Sequence, residues 1–588
     1  MDRVSRYTPP LEDLRFLLDR VLTVSQLFGY DAYAHADQDI AEAVLTGAGR
    51  FASEALAPLN AVGDVQGSQL VNGRVRTPQG FPEAYRALAE GGWIGLDMPE
   101  EYGGQALPLV LQAAYAEMVN GACVSFGMLP LMQRAAARLL IAHAAPELVA
   151  AFAPRLVSGE WGATICISEA QAGSDVGRIA TRAVQDAKGV WRITGSKIFI
   201  TYGDQDFTPQ ILHLLLARTP DAPPGTRGLS LFAVPARVVD ANGEPGAANG
   251  VTVARVEHKM GLKASPTCVM DFDNAMAYPV GATGAGMRCM FVMMNAMRLE
   301  VAVQGVAVAG AATARAMEYA AERCQGGAPG QPAVPLTTHA DVVRMLFEMR
   351  ALSEGFRALT LQAAYCLDAG YAAHDEQVRA DALALAEWLL PVCKAGGSDA
   401  GFRVANLAVQ IFGGHGYVCD SGVEQYVRDA RIMAIYEGAN GIQALDLVTR
   451  KLGGDAARRY RLFVDAVRKD LAACGAASPV LVAALNAALA DLENASAWML
   501  AQLKDAPRNA EAGATAYLQL VSLVGLGWMW LRMDAAAIGT PLERAKRATA
   551  CFYAEHFLSE TGSLLRRVQA GSATLDSLDA GELCRYPG

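Results

Sequence analysis

Apolar residues recur at three- and four-residue steps from Gln38 to Ser158, in runs such as AYRALAEGGWIGL and LQAAYAEMV, with Gly and Pro only as punctuation. That spacing gathers them on one face of a 3.6-residue turn and predicts helices. Between Gly159 and Gly284 the period falls to two. WRITGSKIFITYG, ILHLLLAR, LSLFAVPARV and VTVARVEH read as strands, parted by the turn-rich TPDAPPGTRG and DANGEPGAANG. Helical spacing returns after Gly286, from Met287 to Arg323 and, past the Gly/Pro-rich GGAPGQPAVP, from Thr338 to Ala369. LGGD at 452–455 stops the last helix of that block, and an alanine-rich helical segment follows. Strands confined to one block between helical ones define an α+β chain, not a wound parallel sheet.

Five parts follow from this: an N-terminal extension (1–37), an N-terminal helical domain (38–158), a central β domain (159–284), a helical-bundle domain (285–454) and a C-terminal helical extension (455–588). A chain of 588 residues is too long for one core. With 52% apolar and 19% charged residues it is not disordered. A net charge of −10, from 50 basic and 60 acidic residues, argues against a nucleic-acid or anionic-membrane binder. The 11 cysteines include no C-x-x-C pair, which points to a reducing, cytoplasmic setting. The 8 histidines show no H-x-x-x-H spacing, so no metal site is expected.

MDRVSRYTPPLEDLRFLLDR alternates charge with apolar residues and does not read as a secretory signal. Ala512 to Leu531 runs 20 residues without a charge, long enough to span a membrane. It carries Thr515, Tyr517, Gln519, Ser522 and three glycines, and no hydrophobic helix partners it elsewhere. We therefore read it as a buried helix at a domain or subunit interface, and expect no integral membrane span.

No G-x-G-x-x-G opens a helix after a strand, and neither G-x-x-x-x-G-K-[ST] nor G-x-S-x-G is found. Three other segments carry more small and polar residues than packing asks for. In CISEAQAGSDVGRIATRA (166–183), Gly173, Ser174 and Asp175 allow a ligand close approach, or form an ordinary strand-to-turn junction. In GSKIFITYGD (195–204), Thr201 offers a hydroxyl and Phe199 an aromatic wall, unless this is simply a half-buried strand. In residues 410–452, Gly413, Gly414 and Gly416 make a loop whose amides can meet a ligand. Glu437 there follows the apolar IMAIY and precedes a new helix. A carboxylate against an apolar wall has a raised pKa and suits a general base. The competing account has Glu437 supporting the start of the following helix.

Taken together, these segments resemble the acyl-CoA dehydrogenase family from about Gln38 to Leu452. The resemblance is carried by SEAQAGSD (168–175), GSKIFITYG (195–203), KMGLKAS (259–265), GGHG (413–416) and RDARIMAIYEG (428–438). YTPPLEDLRFLL, EHKMGLKASPTC and the added C-terminal segment look like the long subgroup containing 3-methylmercaptopropionyl-CoA dehydrogenases and broad-range fatty acyl-CoA dehydrogenases. The fold implied is an N-terminal helical domain, a central β-barrel domain, a helical-bundle domain and an additional C-terminal helical domain.

The resemblance further implies FAD held without a Rossmann motif, in agreement with the missing glycine fingerprint. Ile165, Ile167 and Ser168 would line the flavin, and Gly173 and Ser174 would meet its pyrophosphate or the adjoining pantetheine arm. Phe199 and Thr201 would flank the isoalloxazine. Gln410, Gly414 and Arg323 match positions that hold the adenosine half across a subunit interface. Ser174, Arg298 and Gly438 would face the substrate, and Glu437 matches the catalytic base. The implied reaction is α,β-dehydrogenation of an acyl-CoA thioester to the trans-2-enoyl-CoA, with electrons passed to electron-transferring flavoprotein.

Ala170 stands where the family usually has proline, Ala439 where many members have threonine, and Gly441 where short members have glutamine. Gln325 lies where short members carry Thr-Phe-Gly and pack on a neighbouring cofactor. Short members are commonly tetramers; with the C-terminal domain covering the second-dimer surface, a homodimer is expected. Two alternatives are an acyl-CoA oxidase using oxygen, which sequence barely separates from a dehydrogenase, and a non-catalytic flavin-binding relative. Some such relatives bind nucleic acid through a basic extension, whereas here the extension mixes signs (ARRYRLFVDAVRKDL, then ALADLENA).

Overall fold

Where the sequence period falls to two, seven strands share one sheet: Gly162–Cys166, Arg182–Gln185, Trp191–Thr201, Ile211–Arg218, Leu229–Pro235, Val251–Val256 and Thr267–Val280. The computed structural model that shows this describes residues 7–585. The first six residues of the N-terminal extension, which open the segment weighed as a signal, and the last three of the C-terminal one lie outside the described residues. Leu229–Pro235 pairs with both Thr267–Val280 and Ile211–Arg218, so five strands close on themselves into a barrel. Ile193, Ile200, Leu215, Phe232, Met270 and Phe272 fill its interior. Ile211–Arg218 is buried along nearly its whole length. It runs parallel to Gly162–Cys166 with Gly162 opposite Ile211, which accounts for an apolar run without alternation.

Thr267–Val280, the longest strand, is absent from the period-two reading. Register shifts between Cys268 and Met270 and between Phe272 and Ala275 break its alternation. Asn274 between them has φ +51°, a bulge-like kink that puts two polar residues in succession outward.

The chain forms two compact units. One comprises Ala43–Glu300 with the described residues ahead of Pro10; the other comprises Pro10–Glu42 and the chain from Val301 onward. The division falls inside the helix Gly286–Glu322.

The first unit holds the barrel and the helix Leu109–His143, whose backbone departs from helical geometry at Cys123 (φ −158°, ψ 91°). In the second unit, Ala340–Ala372 and Glu376–Phe412 pack along each other, with Cys393 Sγ 3.7 Å from the Leu359 carbonyl. Asp375 starts the second of these by accepting bonds from the amides of Gln377 (2.7 Å) and Val378 (3.0 Å). Gly413, at φ +60°, ends it.

The C-terminal extension belongs to the same unit. Its helix Pro507–Ala536 is tied to Ala340–Ala372 where Trp530 Nε1 donates to the Ala351 carbonyl at 3.1 Å. That helix contains the 20-residue uncharged stretch, and its most apolar window is 78% buried within the protein. It is not alone. Leu109–His143 and Gly286–Glu322 are also long and apolar enough to cross a membrane, which corrects the expectation that no second helix has this character.

Candidate active site

The barrel brings two of the sequence motifs together through a buried ion pair. Lys197, in Trp191–Thr201, has no solvent exposure. Its Nζ donates to Glu169 Oε1 at 2.7 Å and to the carbonyls of Leu216 (2.9 Å) and Ile167 (3.0 Å). Glu169 in turn accepts from the amides of Ala180 (2.7 Å) and Thr181 (3.1 Å) and from the Thr181 hydroxyl (2.6 Å). Burial pushes the Glu169 carboxyl up, but Lys197, Thr181 and Ala180 outweigh it and hold it below its usual range.

This hub fixes the loop that follows Gly162–Cys166. The Ile198 amide donates to the Ser168 carbonyl at 2.9 Å, and the Thr164 hydroxyl to the Thr201 carbonyl at 2.6 Å. Ile165, Ile167, Ser168 and Thr201 are thereby held in one region, each half-buried. Phe199 stands 63% exposed at the same strand end, with φ +60°. A large aromatic residue held there in the left-handed region is strained. Gly173 and Ser174 lie exposed at the loop tip, where a Cβ built on Gly173 would meet nothing within 4 Å.

Arg298 is buried in the helix Gly286–Glu322. Two residues on, Glu300 pairs with Arg134, which also grips Asp97 at 2.8 Å. Burial pushes the Asp97 carboxyl up, but Arg134 and Arg138 hold it far below its usual range.

The second unit carries the remaining positions in two places. At the first, Tyr319 stacks on Phe412 with ring centres 4.0 Å apart, and its hydroxyl lies 3.3 Å from His415 Nδ1. This joins the end of Gly286–Glu322, with exposed Arg323 just past it, to the end of Glu376–Phe412, with exposed Gln410 in its last turn and exposed Gly414 just beyond. Gly414, like Gly173, faces open space.

At the second place sits Glu437, half-buried, in the turn between the short helical segment Arg431–Ala434 and the helix Asn440–Asp446. Glu437 has φ +52° and Gly438 φ +88°, two left-handed residues in succession. The N-cap of the following helix is Ala439, with no side-chain capping bond. Burial raises the Glu437 carboxyl above its usual range, and Lys394 offsets part of that rise.

Lys394 was not singled out in the sequence. It is fully buried on Glu376–Phe412 and donates to the Gly438 carbonyl at 2.7 Å and to Asn440 Oδ1 at 3.0 Å. Its one local signal is a lone charge inside the apolar run WLLPVCKAGG. Glu169 and Lys197 were also missed as a pair, although both lie inside quoted motifs.

Models of the "Acyl-CoA dehydrogenase" N-terminal, middle and C-terminal domains match residues 40–160, 164–275 and 284–452. An "Acetyl-CoA dehydrogenase C-terminal like" model matches residues 461–579. The chain belongs to the acyl-CoA dehydrogenase family.

Among its relatives is the 3-methylmercaptopropionyl-CoA dehydrogenase of Ruegeria pomeroyi, 40% identical over 577 residues, which cover 96% of this chain and 98% of that protein. The broad-specificity linear acyl-CoA dehydrogenase FadE5 of Mycobacterium tuberculosis is 33% identical over 590 residues, covering 94% and 96%. Among solved structures, Caenorhabditis elegans ACDH-11 in complex with C11-CoA superposes with a TM-score of 0.81 at 21% identity, covering 98% of this chain and 96% of that one. An FAD-complexed acyl-CoA dehydrogenase from Bacillus anthracis gives 0.74 at 19% identity, covering 94% and 91%. These two likenesses show the fold.

This acyl-CoA dehydrogenase is an oxidoreductase with FAD as its cofactor. Its residues fit that group: an exposed, strained aromatic and half-buried polar loop on the barrel, and glycines that leave open space at Gly173 and Gly414. Ile165, Ile167, Ser168, Phe199 and Thr201 are the candidates to hold the flavin ring, and Arg323, Gln410 and Gly414 the adenosine half.

Proposed function

We propose that this enzyme converts a saturated acyl-CoA to the trans-2-enoyl-CoA, with Glu437 as the base that removes the α-proton. The observation that carries this reading is the Glu437 carboxyl itself, half-buried on a strained turn and more basic than an ordinary carboxylate. The Glu437 amide is the donor we assign to the thioester oxygen as negative charge develops there, with Gly438, Ser174 and Arg298 also facing the substrate. FAD, when bound, would supply the two-electron oxidation of the thioester's Cα–Cβ bond.

The reading passes the electrons to electron-transferring flavoprotein, on the strength of the family resemblance. The 40% identity to a 3-methylmercaptopropionyl-CoA dehydrogenase makes that short thioether thioester the first substrate to assay, beside straight-chain acyl-CoAs. A homodimer is part of the proposal; exposed Tyr417 (84%) and Val418 (50%) beside the GGHG loop support it. A cytoplasmic setting rests on the eleven free cysteines.

Glu437→Gln is expected to keep bound FAD and bind acyl-CoA yet lose turnover, because an amide cannot accept the proton. An active variant would overturn the assignment. Turnover with a ferrocenium acceptor and little peroxide under air supports the dehydrogenase, whereas stoichiometric peroxide identifies an oxidase.

A further inference from the structure

The turn that carries Glu437 is gripped from the neighbouring helix by side chains that no motif of the resemblance includes. Two successive left-handed residues, one of them not glycine, form a conformation that persists only where the surroundings over-determine it. The surroundings here are specific. Lys394 Nζ reaches the Gly438 carbonyl at 2.7 Å and Asn440 Oδ1 at 3.0 Å. Gln443 Nε2 reaches the same carbonyl at 3.2 Å and that of Glu437 at 3.4 Å. Asn440 Nδ2 donates in turn to Asp399 Oδ1 (2.8 Å), Ser398 Oγ (3.0 Å) and the Ala395 carbonyl (3.2 Å). Lys394, Ala395, Ser398 and Asp399 all lie on Glu376–Phe412, so one helix holds both the turn and the first residue of the helix after it.

An ammonium is a costly group to bury, and an apolar side chain would fill this position more cheaply if packing were its only task. A charged donor also makes a stronger bond to a carbonyl than a neutral one. The bond it makes falls on the peptide immediately after the base.

We propose that Lys394 is a positioning residue for catalysis: through its bond to the Gly438 carbonyl it holds the Glu437 turn in the conformation that presents the carboxylate to the substrate's α-carbon. This rests on the reading of Glu437 as the base. Lys394 does not touch the reacting atoms; it limits where the carboxylate can point. A base misplaced by an ångström loses rate and not binding.

The test uses the FAD-loaded enzyme and 3-methylmercaptopropionyl-CoA as probe, following flavin bleaching in a rapid-mixing experiment. The limiting rate and the half-saturating concentration are obtained separately. Lys394→Met is expected to lower the limiting rate about 10- to 100-fold while half-saturation changes less than about threefold. The isotope effect with α-deuterated thioester is expected to rise, since proton removal then limits the rate more strongly. Lys394→Gln keeps a donor for the carbonyl without the charge, and is expected to recover a substantial part of that loss.

A Met variant that holds FAD and reduces it at the normal rate would overturn the proposal, as would a Gln variant no faster than Met. Should Lys394→Met not fold, Lys394→Gln and Asn440→Ala take its place. Both are then expected to lose limiting rate with half-saturation preserved, and unchanged rates in both would overturn the proposal equally. Glu437→Gln, run in parallel, separates the two ideas: if it is active the base assignment fails, and if it is inactive while Lys394→Met is normal, only the role of Lys394 fails.

Discussion

Lys197 Nζ and Glu169 Oε1 lie 2.7 Å apart inside the barrel domain, with side-chain exposures of 0% and 5%. The pair links a barrel strand to the loop bearing Ser168, Gly173 and Ser174, and thus the two segments assigned to the flavin ring. Removing one member leaves a buried charge without its counterpart, a loss of about 3–5 kcal/mol. Lys197→Met is therefore expected to lower the thermal midpoint and to purify with less FAD, read as the ratio of flavin to protein absorbance. Glu169→Gln, which keeps an oxygen for the Thr181 donors but sets an N–H against the Ala180 amide that Oε2 accepted, is expected to lower the midpoint as well. Full FAD content and an unshifted midpoint in both variants would show that the pair does not fix the loop.

A second buried ionic cluster ties the N-terminal extension into the unit that holds the C-terminal one. Asp13 pairs with Arg357 at 2.6 Å and with Lys546, which reaches Glu354 at 2.7 Å. Burial alone would raise the Asp13 carboxyl, but Lys546 and Arg357 bring it from 3.8 down to about 2. A carboxyl depressed in the folded state adds stability that is complete above its unfolded value and is lost as pH falls. Here that window runs from 3.8 down to about 2, and the contribution at neutral pH is on the order of 2 kcal/mol. Asp13→Asn is expected to melt about 2–3 °C lower than wild type at pH 7. The gap should close as pH drops below 4, and a gap that stays constant to pH 3 would contradict the linkage.

Which features were legible in the sequence follows from how local their causes are. The change of period from 3.6 to two marked the barrel block because each strand announces its own burial. Thr267–Val280 escaped because its kink at Asn274 breaks the alternation that the eye follows. Glu437 was visible as a carboxylate after an apolar run, but the left-handed backbone that holds it was not. The groups that hold the site in place could not be read. Lys197 and Glu169 are 28 residues apart, and Lys394 is 44 residues from the carbonyl it grips. No short pattern records such a partner, and the cation looks like a stray charge until the fold supplies its acceptor.

Glu437 is predicted to weaken the fold that it serves. Its carboxyl is raised above the usual value of 4.5 by burial, with Lys394 offsetting only part of the rise. For a carboxyl raised in the folded state, the protonated form is the one the fold favours. Its contribution to stability is complete below the unfolded value and is lost as pH rises through the higher folded one. Above its folded value wild type carries a carboxylate that costs more to keep in the folded protein than in the unfolded chain. Gln resembles the protonated acid at every pH. Glu437→Gln should therefore melt with wild type near pH 4 and above it at pH 8, the difference opening as pH climbs past 4.5. Melts of the FAD-loaded proteins without substrate, taken at half-unit steps from pH 4 to pH 8, measure that difference. A variant less stable than wild type at pH 8 would mean that attraction to Lys394 outweighs burial, and that the base is no more basic than a surface glutamate.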